Sequence, residues 1–146
     1  MDCVFCKIIR GEIPSFKIWE DPAHIAILDI SPNTKGMTLV ITKKHYDSYA
    51  FDMPTQDFLQ FMQATQNVAK LLDKKLNSKR TALVLEGMGV NHVHAKLYPM
   101  HGVDEKKFGE HPDRKYFDKY PGYITTLIGP DADMEELGKL AKALRE

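Results

Sequence analysis

The sequence predicts a single domain that combines a β-sheet with helices. Its 146 residues are enough to bury one core without disulfide bonds. Two observations predict the mixed class. Short apolar segments separated by turn-forming residues are typical of strands, and one long segment has the i, i+3, i+4, i+7 spacing of an amphipathic helix.

The first strands follow from the segments "KIW", "HIAILDI" and "MTLVIT", which carry β-branched and aromatic residues. Between the second and third lies "DISPNTKG", residues 29–36, which is dense in turn formers. This order predicts a hairpin with a wide loop.

The long helix is predicted between Pro54 and Asn77, and it should cover one face of the sheet. Its apolar positions follow the helical spacing: Phe58, Phe61, Met62, Thr65, Val68, Ala69, Leu72 and Leu76.

The second half of the sequence predicts two further strands and a closing helix. "TALVLEG" is interpreted as a buried strand, "GMG" as a turn that glycine permits, and "HVHAKLYP" as a strand with alternating side chains. After a charged loop at 104–122, "YITTLI" is a further candidate strand. "DADMEELGKLAKALRE" is predicted to be a helix, with acidic residues in its first turn.

Composition excludes several classes of partner. Basic and acidic residues number 20 each, so no excess of charge points to nucleic acid or to a membrane surface. The N-terminus lacks a signal-peptide pattern, and no segment reaches the roughly 18 apolar residues of a membrane span. We therefore expect a soluble, cytoplasmic protein.

The segment "GMGVNHVHAKLYPMHG" carries three of the six histidines. On a strand, His92, His94 and Lys96 project from one face, about 6 to 7 Å apart at each step. The two histidines could bind one ion or one phosphate, or they could be unrelated side chains on a solvated face. Their position beside a glycine turn and a lysine favours a functional site.

"HVHAKLYP" resembles the motif of the histidine triad family, and "CVFCKIIRGEIPS" and "ILDISPNTKGMTLVITKKHY" resemble the same family. The resemblance covers residues 3 to about 101 of a single domain, 1–146, and leaves 102–146 as a C-terminal extension. It implies an α+β fold with a mainly antiparallel sheet of about five strands, one long amphipathic helix and a C-terminal helix. It also implies a homodimer.

The resemblance further implies an enzyme that cleaves nucleoside phosphoramidates or dinucleoside polyphosphates at the α-phosphorus. The middle histidine, His94, would attack phosphorus and become nucleotidylated. Lys96 replaces the third histidine of the motif, and Met88 stands where a glutamine is common. Lys96 could supply a charged phosphate donor, Gly89 and the "GMG" backbone could supply N–H groups, and His101 could be a further phosphate ligand.

Cys3 and Cys6 form a CxxC motif, which alone is compatible with a helix turn, a redox pair or a metal site. The family resemblance implies zinc bound by Cys3, Cys6, His45 and His92. Such a four-ligand site with no open position is structural rather than catalytic.

The resemblance places a purine nucleoside against "LDIS". Asp29 would accept the ribose hydroxyls, Ile30 would contact the base and Ile27 would form a further wall. Alternatively, Asp29 only opens the following turn.

Three functions remain open at this stage. The first is a hydrolase or nucleotidyl transferase that uses His94. The second is a nucleotide-binding or phosphate-binding module whose altered motif no longer supports catalysis. The third is a metal hydrolase with an ion on His92, His94 and His101.

Overall fold

The computed structural model describes residues 3–103 and 131–146. The charged loop at 104–122 and the candidate strand "YITTLI" lie outside these residues. Within the two described stretches, no helix has the length and apolar character that crossing a bilayer demands.

In the described part of the chain the sheet has five strands, all paired antiparallel in the order β1-β2-β3-β5-β4, which confirms the predicted α+β class. The strands are β1 (Lys17–Glu20), β2 (His24–Leu28), β3 (Thr38–Thr42), β4 (Thr81–Val84) and β5 (His94–Pro99).

β5 begins two residues later than the alternating pattern predicts. Its ladder with β3 starts at the pair Ile41 and His94. The preceding Val93 N–H donates instead to the Tyr46 carbonyl, at 3.0 Å. His92 therefore lies just before the strand, in a segment that is tied to the chain beyond β3.

The prediction that "TALVLEG" is a buried strand is wrong. Among the described residues, β4 is an edge strand with β5 as its one neighbour in the sheet, and Leu83 is 40% exposed. The error has a simple cause: an apolar run reports strand propensity but not the number of strands that flank it.

Three α-helices are described: α1 (Val4–Ile9), α2 (Thr55–Leu76) and α3 (Met134–Arg145). α2 confirms the predicted long helix and ends at Asn77, whose φ of 52° is the left-handed conformation common at helix ends. At the start of α3, the Asp133 side chain accepts from the N–H groups of Glu135 and Glu136. Apolar residues of α2 and α3 share one core with one face of the sheet.

The opposite face of the sheet carries a smaller apolar cluster, to which Phe5 of α1 and the preceding Cys3 belong. Along β5, Ala95 and Leu97 belong to the core beneath α2. Because side chains alternate along a strand, His94 and Lys96 project towards the α1 face. The sheet therefore lies between the main core and the side chains of His94 and Lys96.

Candidate functional site

A cavity of about 240 Å³ opens on the α1 face of the sheet. Its lining includes Asp29 after β2, Gly89 in the glycine turn, and His94 and Lys96 on β5. Four of the residues that the sequence singles out are thus brought together from three separate parts of the chain.

His94 is held in one tautomer. Its side chain is buried, and its Nδ1 lies 2.7 Å from the carbonyl oxygen of His92. Since a carbonyl can only accept, Nδ1 carries the proton, and the lone pair of the neutral ring is on Nε2. The Phe5 ring packs edge-on against the imidazole, with centroids 5.2 Å apart.

The surroundings of His94 favour the neutral, nucleophilic ring. Burial lowers the pKa of His94, the hydrogen bond to the His92 carbonyl opposes this shift, and the positive charge of Lys96 lowers the pKa further. A neutral imidazole is the form that can attack phosphorus.

Lys96 is engaged by a residue that the sequence analysis missed. Its Nζ donates to Glu86 Oε1, and Glu86 Oε2 accepts from the Met88 N–H at 2.5 Å. Burial would raise the pKa of Glu86, but the hydrogen bonds from Lys96 and Met88 lower it overall. The signal in the sequence was an acidic residue that closes an apolar strand directly before the glycine turn.

Asp29 lies half-buried in the cavity wall and also accepts from the Ser31 N–H at 2.8 Å. It therefore has the predicted turn geometry while its side chain borders the cavity. Ile27 is buried in the smaller apolar cluster. Ile30 is 58% exposed, and its carbonyl accepts from the Ala132 N–H.

His101 lies apart from His94. Its ring is exposed, and Nε2 donates to the Lys35 carbonyl at 2.9 Å. His101 is not among the described residues that line the cavity with His94. Nor does the described part of the chain contain a metal-binding group that joins His101 to His92 and His94.

A second cluster lies beside the cavity and consists of Cys3, Cys6, His45 and His92. One ligand atom from each residue lies within 4.8 Å of all the others. The Nδ1 atom of His92 is 3.4 Å from Cys3 Sγ, 3.6 Å from Cys6 Sγ and 3.2 Å from His45 Nδ1. The Sγ atom of Cys6 is 3.4 Å from His45 Nδ1.

These separations fit a tetrahedral zinc ion. Bond lengths of about 2.3 Å to sulfur and 2.05 Å to nitrogen place two nitrogens roughly 3.3 Å apart, and a nitrogen and a sulfur roughly 3.6 Å apart. His92 Nε2 lies 2.8 Å from the Thr42 carbonyl and so carries the proton. The Nδ1 lone pair of His92 consequently faces the other three ligand atoms, as a metal ligand requires.

The two clusters are joined through His92. Its ring belongs to the four-residue cluster, and its carbonyl accepts the Nδ1–H of His94. Phe5, between the two cysteines in the sequence, packs against both imidazoles. Anything that fixes His92 therefore also fixes the orientation of His94.

Comparisons with known proteins agree with this geometry. The family described as HIT domain matches residues 10–102. An uncharacterized HIT-like protein of Methanocaldococcus jannaschii is 40% identical over 115 residues, 74% of this chain and 88% of the relative. An adenosine 5′-monophosphoramidase of Saccharomyces cerevisiae is 35% identical over 148 residues, 97% of this chain and 80% of the relative.

Among solved structures, a zinc-bound histidine triad family protein from Mycobacterium smegmatis superposes with a TM-score of 0.65 at 30% identity. The alignment covers 99% of this chain and 94% of that protein. The likeness thus extends to a relative that binds the metal that the four-residue cluster fits.

Proposed function

Since this chain belongs to the HIT domain family, we propose that it binds a purine nucleotide and acts at the α-phosphate as a hydrolase or nucleotidyl transferase. Its substrate would be a nucleoside phosphoramidate or a dinucleoside polyphosphate. The observation that carries the proposal is His94, whose Nδ1–H is fixed on the His92 carbonyl while its ring lines the cavity. The adenosine phosphoramidase relative supports the same reaction class.

In the first step, the Nε2 lone pair of His94 forms a bond to the α-phosphorus. The bond from phosphorus to the leaving group breaks, and a phosphoramidate nitrogen departs as an amine with the proton it took from solvent. The nucleotidylated ring is then cationic. Its Nδ1–H remains bonded to the His92 carbonyl, which stabilises the positive charge.

In the second step, water attacks the α-phosphorus and the bond to Nε2 breaks. The water proton passes to solvent, the nucleoside monophosphate leaves, and His94 returns to its neutral form. Another acceptor in place of water would make the reaction a nucleotidyl transfer. Burial of His94 beneath Phe5 limits the access of water to the ring.

The remaining residues of the cavity bind the nucleotide. Asp29 accepts the ribose hydroxyls, since one carboxylate can accept from two vicinal groups. Lys96 and the backbone N–H groups of the glycine turn donate to the phosphate oxygens in this proposal, which the position of Lys96, Met88 and Gly89 in the cavity lining supports. Ile27 and Ile30 flank the base, and His101 is a phosphate ligand only if the loop that carries it moves.

Cys3, Cys6, His45 and His92 bind a structural zinc ion. With all four tetrahedral positions filled by protein, the ion supplies stability rather than an open site for chemistry. The cluster connects α1 to the segments after β3 and before β5. It also holds the His92 carbonyl, which orients His94.

The alternative is a nucleotide-binding or phosphate-binding module with impaired catalysis. The ion pair between Lys96 and Glu86 favours it, because Lys96 and one backbone N–H of the glycine turn, two of the predicted phosphate donors, are already bonded to the Glu86 carboxylate. Met88 also supplies no side-chain hydrogen bond.

Incubation with adenosine phosphoramidate, followed by measurement of the intact mass without acid, distinguishes the two functions. An enzyme gives an adduct of one nucleotide, and His94→Ala loses it while still binding AMP. His24→Ala is the matched control, since it removes a buried imidazole on the opposite face, in ring contact with Phe61. AMP binding without an adduct in the wild type indicates the binding module instead.

A further inference from the structure

One carboxylate accepts hydrogen bonds from two of the phosphate donors predicted beside His94. Glu86 accepts from the Lys96 ammonium through Oε1 and from the Met88 N–H through Oε2. Lys96 and Met88 also line the cavity that contains His94. A carboxylate with one oxygen on an amine and the other on a backbone N–H imitates the way a phosphate would be held there.

We infer that Glu86 is a specificity-determining residue, an internal anion whose contacts the α-phosphate must take over when a nucleotide binds. This inference rests on the proposed function, because it assumes that the phosphate lies between His94, Lys96 and the glycine turn. Its consequence is a phosphate site with no net positive charge. Such a site binds a phosphate dianion weakly and releases the nucleoside monophosphate product.

The ion pair between Lys96 and Glu86 is largely shielded from solvent. The side chains of Lys96 and Glu86 are only 22% and 18% exposed, so solvent screens their charges less than it screens those of surface pairs. The contacts are strong because donor or acceptor is ionised in each of them. An incoming phosphate therefore competes with a formed ion pair rather than with bulk water.

The backbone keeps Glu86 in this position. Gly87 has a φ of +68°, and a Cβ on it would lie 2.5 Å from the Ser48 carbonyl oxygen. The turn therefore packs directly against the segment that follows His45. Because the backbone next to Glu86 is packed, displacement of the carboxylate is a movement of its side chain.

The test is the affinity of Glu86→Gln for AMP, measured by titration calorimetry and compared with its affinity for adenosine. Glutamine keeps the shape and one acceptor but removes the charge. A unit charge about 6 Å from the phosphate, at an effective dielectric constant between about 20 and 80, corresponds to roughly three- to a hundredfold in affinity. We expect AMP to bind about tenfold more tightly, with adenosine unchanged.

Glu20→Gln is the matched control. Glu20 also accepts from two lysines, Lys17 and Lys43, but lies on β1 at the far edge of the sheet. It makes the same change in net charge and should leave the affinity for AMP unchanged. Thermal melting of both variants verifies that each is folded, and Glu86→Ala repeats the test if the glutamine variant is not.

Unchanged or weaker AMP binding by folded Glu86→Gln overturns the inference, and weaker binding would make Glu86 a residue that positions Lys96. Equal tightening of AMP and adenosine overturns it too, because the effect would not concern phosphate. If neither the wild type nor Glu86→Gln binds AMP, the inference is overturned as well. The proposed function is tested separately: a wild type that forms the His94 adduct while Glu86→Gln fails to tighten AMP refutes only this inference.

Discussion

Removal of the metal from the cluster of Cys3, Cys6, His45 and His92 should lower the midpoint of thermal unfolding by about 10 to 15 °C. The cluster joins the N-terminus to the segment after β3 and the segment before β5. The Nδ1 atoms of His45 and His92 lie 3.2 Å apart in this partly buried cluster. Burial and the neighbouring Cys3 raise the pKa of the Cys6 thiol, so this thiol keeps its proton unless a cation is bound.

The magnitude follows from mass action. If free zinc exceeds its dissociation constant a thousandfold, binding stabilises the folded state by about 4 kcal/mol. The entropy of unfolding is about 2.1 cal/mol/K per residue, which for 146 residues gives about 0.3 kcal/mol/K. Dividing the stabilisation by this entropy gives a shift of about 13 °C in the midpoint of unfolding.

The assay is differential scanning calorimetry with a phosphine reductant present, with and without a chelator, together with elemental analysis. The wild type should contain about one zinc per chain. His45→Gln is the best variant, because the side chain is 21% exposed and its loss leaves no large cavity in the core. His101→Gln, at an exposed histidine outside the cluster, should retain both the zinc and the melting temperature.

Two results would refute this reasoning. If the chelated protein melted at the temperature of the zinc-loaded protein, the ion would not stabilise the fold. If His45→Gln kept a full equivalent of zinc, the assignment of the four ligands would be wrong.

Three further predictions concern the nucleotide site and the assembly. Asp29→Asn should weaken AMP binding about tenfold, the range of a lost charged hydrogen bond, but should leave a 2′,3′-dideoxy analogue unaffected in the same calorimetric titration; equal losses for both ligands would refute the ribose contact. Lys96→Ala should weaken AMP binding and Lys96→His should preserve it, and single-turnover rates of nucleotidylation would measure the chemical step separately from binding. If the alanine variant had unchanged affinity and rate, Lys96 would have no role in binding or catalysis. We also expect a homodimer through α2 or the β4 edge. Sedimentation velocity should show a monomer for Leu59→Lys on α2 or for Leu83→Lys on β4, whichever residue lies at the interface; both variants replace exposed leucines. A monomeric wild type at micromolar concentration would contradict this prediction.

The sequence by itself determined the elements whose formation depends on residues close together in the chain. α2 was predicted to within a residue at each end, because helical spacing between Pro54 and Asn77 reports a buried stripe and the left-handed Asn77 ends it. The four ligand residues of the second cluster were named from their family resemblance, and the structure brings them together. The nucleophile assigned to His94 stays a prediction, although its geometry suits the role.

Only the tertiary structure decided which groups meet across the sheet. The apolar run before Glu86 cannot reveal that β4 has a single neighbour within residues 3–103 and 131–146, so the prediction of a buried strand is wrong. Nor could the sequence pair Glu86 with Lys96, because that contact requires the antiparallel register that places Val84 opposite Lys96. Periodicity along a chain fixes the face on which a side chain lies, whereas strand order and register, set by packing of distant segments, fix its partner.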